Sequence, residues 1–154
     1  MERTHRIMFV CHGNICRSPM AEFLLKDMIK KEGLADRFVI ASAGTSREEI
    51  GNPVHQGTRK KLAQDHISAA GKYAVQLTKE DYEKYVLILG MDRANISNIL
   101  RIIGSDPQEK VHRLLDFTEL PRDIADPWYT GDFEITYAEI KAGCAALLKH
   151  LRRF

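Results

Sequence analysis

Ile7-Met8-Phe9-Val10-Cys11-His12-Gly13-Asn14-Ile15-Cys16-Arg17-Ser18-Pro19-Met20-Ala21 is the stretch on which the fold turns. Its first four residues form an unbroken apolar run, which reads as a short strand buried on both faces. Met20, Ala21, Leu24, Leu25 and Met28 then recur at spacings of three and four, so a helix with one apolar face follows. Gly33 comes where such a helix should stop. Ser18 and Pro19 belong to its first turn, where proline is tolerated because its missing N–H would have no partner anyway.

The loop between strand and helix suits one chemistry. A phosphate dianion is held best by several backbone N–H groups converging from a tight loop at a helix N-terminus, where the helix dipole is positive. Gly13 and Asn14 tolerate left-handed backbone, so the loop can curl. Arg17 offers a planar fork that matches two phosphate oxygens, and the same positive field favours the thiolate of Cys11. A thiolate beside a phosphate cradle can attack phosphorus. Cys-x5-Arg alone carries little weight, since three cysteines and twelve arginines in 154 residues would give about 0.2 such pairings by chance. The strand before it and the helix after it supply the weight. The plainer alternative, Cys11 as a small buried hydrophobe at a strand end, leaves the rest of the loop unexplained.

Working outward, Phe38-Val39-Ile40-Ala41 is a second apolar run, followed by the turn residues Ser42-Ala43-Gly44-Thr45. A helix is expected from about 52 to 65, and Thr78-Lys79-Glu80-Asp81 opens like a capped helical turn. Tyr85 to Leu89 is the third strand candidate, Met91 to about Ile103 the next helix, and Val111 to Leu115 the fourth strand candidate. Phe133 to Leu151 forms the last helix, with Tyr137, Ile140, Cys144, Leu147, Leu148 and Leu151 on one face. Strands alternating with helices predict a single three-layer α/β domain over 1–154, a four-stranded parallel sheet with helices on both faces. Ligands of such sheets sit beyond the carboxyl ends of the strands, where Cys11, Thr45, Asp92 and the stretch after Asp116 fall.

Composition narrows the function classes. The apolar share of 44% and charged share of 29% fit a globular chain, and a net charge of +2 gives no reason to invoke nucleic acid or an acidic membrane. No apolar run approaches a membrane span, and Ile7 to Val10 is too short for the core of a signal peptide. Three cysteines, an odd number, argue against a disulfide framework. A cytoplasmic location is expected.

Cys11-His12-Gly13-Asn14-Ile15-Cys16-Arg17-Ser18-Pro19 resembles the signature of the low-molecular-weight protein-tyrosine-phosphatase family. Ser42-Ala43-Gly44-Thr45, Gln76-Leu77-Thr78-Lys79-Glu80-Asp81, Met91-Asp92 and Asp126-Pro127-Trp128-Tyr129 follow in the family's order, so the resemblance spans nearly the whole chain. It implies a flavodoxin-like (phosphotyrosine phosphatase I-like) fold and a monomer that needs no cofactor and no metal. By the same resemblance Cys11 forms a phosphocysteine. Asp126 protonates the departing phenol and then acts as base on water, while Arg17 and the amides of His12, Gly13, Asn14, Ile15, Cys16, Arg17 and Ser18 hold the phosphoryl oxygens. Pro127 biases Asp126 toward an extended backbone, a sensible way to aim a carboxyl; Asp106-Pro107 is the same dipeptide, read there as an ordinary turn. Asn14, Ser18 and Ser42 resemble the family's supporting hydrogen bonds. Asp92 resembles an aspartate near the arginine, and a helix N-cap explains it equally well. Cys16 corresponds to a cysteine said to form a protective disulfide with the nucleophile. His55, His66, His112 and His150 show no paired ligand spacing and read as surface residues.

The resemblance also bears on substrate. Ile15 stands where the arginine-phosphatase branch carries Thr; an apolar side chain suits a phenyl ring, and Trp128 and Tyr129 would flank it. A phosphotyrosine-containing protein is therefore the expected partner. Glu48 and Glu49 stand near the pocket mouth, where many relatives carry an aromatic, and should disfavour acidic peptides. Lys72 and Val75 replace the family's frequent His and Arg, the former bonded to the phosphate loop, so a less rigid loop is expected. His12 is read as having no catalytic role. A thioredoxin-coupled arsenate reductase, which shares this fold and a similar loop, would need further cysteines to relay a disulfide, and Tyr85 to Met91 contains none; Asp126 would be surplus to a phosphocysteine carrier.

Overall fold

The structure, a computed structural model, describes residues 4–152. β1 (His5–Cys11), β2 (Phe38–Gly44), β3 (Leu87–Gly90) and β4 (Val111–Arg113) form one sheet in the order β2-β1-β3-β4, parallel throughout. β1 lies inside the sheet, in register from His5 opposite Phe38 to Cys11 opposite Gly44. Parallel neighbours need crossovers, and these hold α1 (Arg17–Lys31), α2 (Gln56–Gln64), α3 (Asp81–Lys84) and α4 (Arg93–Ile103); α5 (Pro127–Thr130) and α6 (Phe133–Leu151) follow the last strand.

Side chains alternate across the sheet. Ile7, Phe9 and Cys11 face α1 and α6, in a core with Met20, Leu24, Ile140, Cys144 and Leu147. Met8 and Val10 face the other way, against Tyr82, Ile99 and Ile103. The expected three layers are therefore present, with helices on both faces. Because β1 connects outward to β2 on one side while β3 lies on its other side, the strand order reverses beside β1. Its carboxyl end opens on the crevice that such sheets offer to ligands.

Several boundaries differ from expectation for identifiable reasons. The helix expected from about 52 starts at Gln56, because 51–53 instead pairs with 73–74: Pro53 bridges Tyr73, and Gly51 N–H donates to the Ala74 carbonyl at 2.9 Å. β4 ends at Arg113, and Leu114–Phe117 turn as a 3-10 helix that buries Leu114 and Leu115 against α6. Tyr85 ends α3 rather than opening β3. At α3 the Asp81 carboxylate accepts the Thr78 N–H at 2.9 Å, one arm of the expected capping arrangement. α6 spans the expected residues, while the single turn of α5 was not foreseen.

Candidate active site

The loop from Cys11 to Arg17 leaves β1 and enters α1 with most of its carbonyls turned into the framework. The carbonyls of Cys11 and His12 accept N–H bonds from Thr45 and Ser46, each at 3.0 Å, and Ile15 accepts from His55 N–H at 2.8 Å. The Thr58 hydroxyl donates to the Cys16 carbonyl at 3.0 Å. In a trans peptide the following N–H points opposite to the carbonyl, so the amides of His12, Gly13, Cys16 and Arg17 face the other way, toward the space over Cys11. That is the geometry of an oxyanion cradle.

Two residues shape the turn, though not as expected for both. Asn14 has φ 59°, the left-handed conformation its type allows. Gly13 does not adopt positive φ; it is small because the Glu49 side chain crosses it, 3.2 Å from where a Cβ would stand. Beneath the loop, the end of β2 approaches closely, and a Cβ on Gly44 would lie 2.8 Å from the His12 carbonyl oxygen.

Cys11 is buried, with Sγ 3.0 Å from Ser18 Oγ. Asn14 Nδ2 donates to Ser18 Oγ at 2.8 Å and to Ser42 Oγ at 3.0 Å, and Asn14 Oδ1 accepts the Val75 N–H at 3.1 Å. Ser42 donates its hydroxyl to Glu22 Oε1 at 2.6 Å. The directions are thereby set. Ser18, already accepting from Asn14, has its own proton free for Cys11, nearer than the Ala43 carbonyl at 3.4 Å.

Glu22 was not anticipated. It is 5% exposed and accepts Lys26 Nζ at 2.5 Å. The signal was available: Glu22 lies four residues after Ser18, on the same face of α1 as the loop's support. Lys72 reaches the strand under the loop rather than the loop itself. Its ammonium donates to the Ser42 carbonyl at 2.8 Å and stands 3.8 Å from Glu22 Oε1, so it braces the strand beneath the loop. Burial, and then the Lys26 charge, hold Lys72 below the ordinary lysine range against the pull of Glu22 and Cys11. Val75 contributes its backbone, which any residue would supply.

Arg17 is 2% exposed. Nη1 donates to Asp92 Oδ2 at 2.8 Å and to the Ile124 carbonyl at 2.9 Å; Nη2 donates to Asp126 Oδ2 at 3.3 Å. Burial pulls the guanidinium down, but the Cys11 and Asp126 charges and the Asp92 bond outweigh it and hold it above its ordinary value. Asp92 fills both roles left open by the sequence, since its Oδ1 caps α4 through the Asn95 N–H at 2.8 Å. Asp126 likewise caps α5, accepting the Trp128 N–H at 3.0 Å. Burial, followed by the charges of Cys11 and Asp126, pushes the Cys16 thiol up to about 12.

Cys11, Arg17 and Asp126 line one cleft of about 110 Å³, with Ile15 and Cys16 in its wall and Trp128, Tyr129, His12, Glu48 and Glu49 around it. His55 is a correction: it is half-buried, stacked on Phe133 at 5.2 Å, edge-on to Trp128 at 6.0 Å, and its Nδ1 accepts the Gly57 N–H at the start of α2. His112 is half-buried too, against Phe117 at 5.9 Å, while His66 and His150 are exposed. Among the described residues no three His, Cys, Asp or Glu side chains gather in a way that could hold a metal.

A parallel α/β sheet carrying a cysteine, an inward-turned amide loop, a buried arginine and a loop aspartate at its carboxyl edge defines a cysteine-dependent phosphohydrolase. The family model for low molecular weight phosphotyrosine protein phosphatase matches residues 6–154. The chain is 40% identical over 149 residues to the low molecular weight protein-tyrosine-phosphatase YfkJ of Bacillus subtilis, covering 96% of each. It is 35% identical over 146 residues to PtpA of Staphylococcus epidermidis, covering 94% of this chain and 92% of the relative. The crystal structure of YfkJ superposes with a TM-score of 0.94 at 39% identity, over 97% of this chain and 96% of that one. SP-PTP from Streptococcus pyogenes superposes with a TM-score of 0.86 at 36% identity, over 96% and 93%. The chain belongs to the low-molecular-weight protein-tyrosine-phosphatase family.

Proposed function

We propose that this chain hydrolyses phosphotyrosine in proteins through a phosphocysteine on Cys11. The Cys11 thiolate attacks phosphorus, the S–P bond forms as the bond to the tyrosyl oxygen breaks, and Asp126 gives that oxygen its proton. Water then attacks phosphorus, its proton returns to Asp126, and the S–P bond breaks to release phosphate. Arg17 and the amides from His12 to Ser18 stabilise the equatorial oxygens in both transfers. The observation that carries this reading is convergence: Cys11, Arg17 and Asp126, separated by up to 115 positions, line one cleft, and Arg17 bonds the Asp126 carboxylate directly.

Phosphotyrosine rather than phosphoarginine follows from the wall of that cleft. Ile15 offers no hydrogen bond to a guanidinium, and Trp128 and Tyr129 present aromatic surface to a ring. Cys16 serves as the redox partner. Peroxide converts the Cys11 thiolate to a sulfenic acid, which condenses with the Cys16 thiol to a disulfide and water. The chain acts as a cytoplasmic monomer on phosphotyrosine proteins, with neither nucleic acid nor membrane as partner. Among the described residues no helix is long and apolar enough to cross a bilayer. The test is release of phosphate from a phosphotyrosine peptide and from p-nitrophenyl phosphate. Both are abolished in Cys11→Ser if the reading holds; a Cys11→Ser variant that keeps turning over sinks it.

A further inference from the structure

The cleft has opposite character at its two depths. On its floor the inward amides and Arg17 are built for an oxyanion, yet the guanidinium is already matched by Asp92 and Asp126. At its rim stand Glu48 and Glu49. The Glu48 side chain is 75% exposed and reaches His12 Nε2 at 3.3 Å. Glu49 lies across Gly13, and its Oε2 accepts Asn52 Nδ2 at 2.5 Å. Arg17 is the one guanidinium or ammonium among the described residues that line the cleft, against the carboxylates of Glu48, Glu49 and Asp126. Arg47, next in sequence, is turned toward Gln76 at 3.1 Å and does not line it.

A phosphate dianion must therefore pass two carboxylates before it meets the amides. Nothing in phosphoryl transfer calls for them, and among the described residues neither pairs with a lysine or arginine: Glu48 meets a histidine and Glu49 an amide. Their charge is available to whatever arrives together with the phosphate, and what arrives is the peptide on either side of the phosphotyrosine. Lysine and arginine stems are long enough to set a cation at a rim while the ring goes down the cleft. We infer that Glu48 and Glu49 form a charge-reading rim that selects phosphotyrosine flanked by Lys or Arg and rejects it in acidic sequence. This rests on the phosphotyrosine reading above. Glu48, the more exposed, meets residues further along the peptide; Glu49, laid against the loop, meets those beside the phosphotyrosine.

The test compares two phosphotyrosine peptides that differ only in carrying Lys or Glu at the two positions on each side. In the wild-type protein at low ionic strength, kcat/KM for the Lys peptide should exceed that for the Glu peptide by about tenfold, the sum of several exposed charge pairs. About 0.5 M salt should cut the ratio to roughly twofold by screening. The Glu48→Gln/Glu49→Gln protein keeps side-chain size and the acceptor for Asn52, and its ratio should fall to about two at low salt, with Glu48→Gln alone lying between. A wild-type ratio near one, or a ratio that survives the double substitution, overturns the inference and leaves the phosphotyrosine reading intact. Turnover of neither peptide, with p-nitrophenyl phosphate still hydrolysed, would instead defeat that reading and the inference with it.

Discussion

Ser42 gives its hydroxyl proton to Glu22, 2.6 Å away, and thereby orders the hydrogen bonds that run through Asn14 and Ser18 to Cys11. A carboxylate can only accept, so Ser42 must accept from Asn14, Asn14 must donate to Ser18, and the Ser18 proton is left for sulfur. In Glu22→Gln an amide that can also donate replaces that one-way acceptor, and Lys26 and Lys72 lose their counter-charge. The loss of a charge-assisted bond in a buried site should lower stability by about 1.5–3 kcal/mol, read from urea unfolding. Iodoacetate should also alkylate Cys11 several-fold more slowly at neutral pH. Unchanged alkylation would reduce Glu22 to a structural brace.

Asp126→Ala should distinguish leaving groups. A tyrosyl phenolate needs a proton as it departs, so turnover of a phosphotyrosine peptide should fall about 10²–10⁴-fold. p-Nitrophenolate is a far better leaving group, and its release should fall much less. Equal losses on both substrates would remove the proton-donor role.

Gly44→Ala tests how the loop is shaped. The added carbon would stand 2.8 Å from the His12 carbonyl oxygen, 3.1 Å from Gly13 C and 3.2 Å from Asn14 N, all of them backbone. No flexible side chain can move aside. The loop must shift by a fraction of an ångström, with an expected loss of about 10–100-fold in kcat/KM and about 1–3 kcal/mol in stability. Near-normal kinetics would show that the loop tolerates displacement.

Cys16 makes the fold sensitive to alkali. Its thiol titrates at the ordinary 9.0 in the unfolded chain and at about 12 when folded. Between those values the folded protein holds a proton that the unfolded chain releases, so stability is intact below 9.0 and declines as pH rises toward about 12. Burial pushes Cys144 upward as well, which adds to the same trend. Urea midpoints at about pH 8 and about pH 10.5 should differ clearly in the wild type and less in Cys16→Ser. An identical pH slope in the two proteins would contradict the assignment.

The parts legible in the sequence were those with local causes. The apolar run before Cys11, the spacing of α6 and the Cys-x5-Arg loop between strand and helix each announced themselves within a few residues, whereas Asp126 came from the family resemblance together with the Trp128-Tyr129 beside it. The misread parts were decided from afar. Leu114 and Leu115 look like strand residues, but α6 draws them into a turn. Asn52 and Pro53 look like the start of a helix, but 73–74 pairs with that stretch. Glu22 reads as an ordinary helix acid until Ser42, twenty positions on, is seen to lie against it. His55 reads as a surface residue until Phe133 and Trp128 close over it.

The four carbonyls that turn the loop inside out are all gripped by one short passage of chain: Thr45, Ser46, His55 and Thr58. The sheet delivers Cys11 to its place, but that passage keeps the amides facing it. Armament and architecture are thus separable. Loosening 45–58 would disarm the sulfur while the strands and the long helices stood unchanged, so gentle heating should silence the protein before it melts.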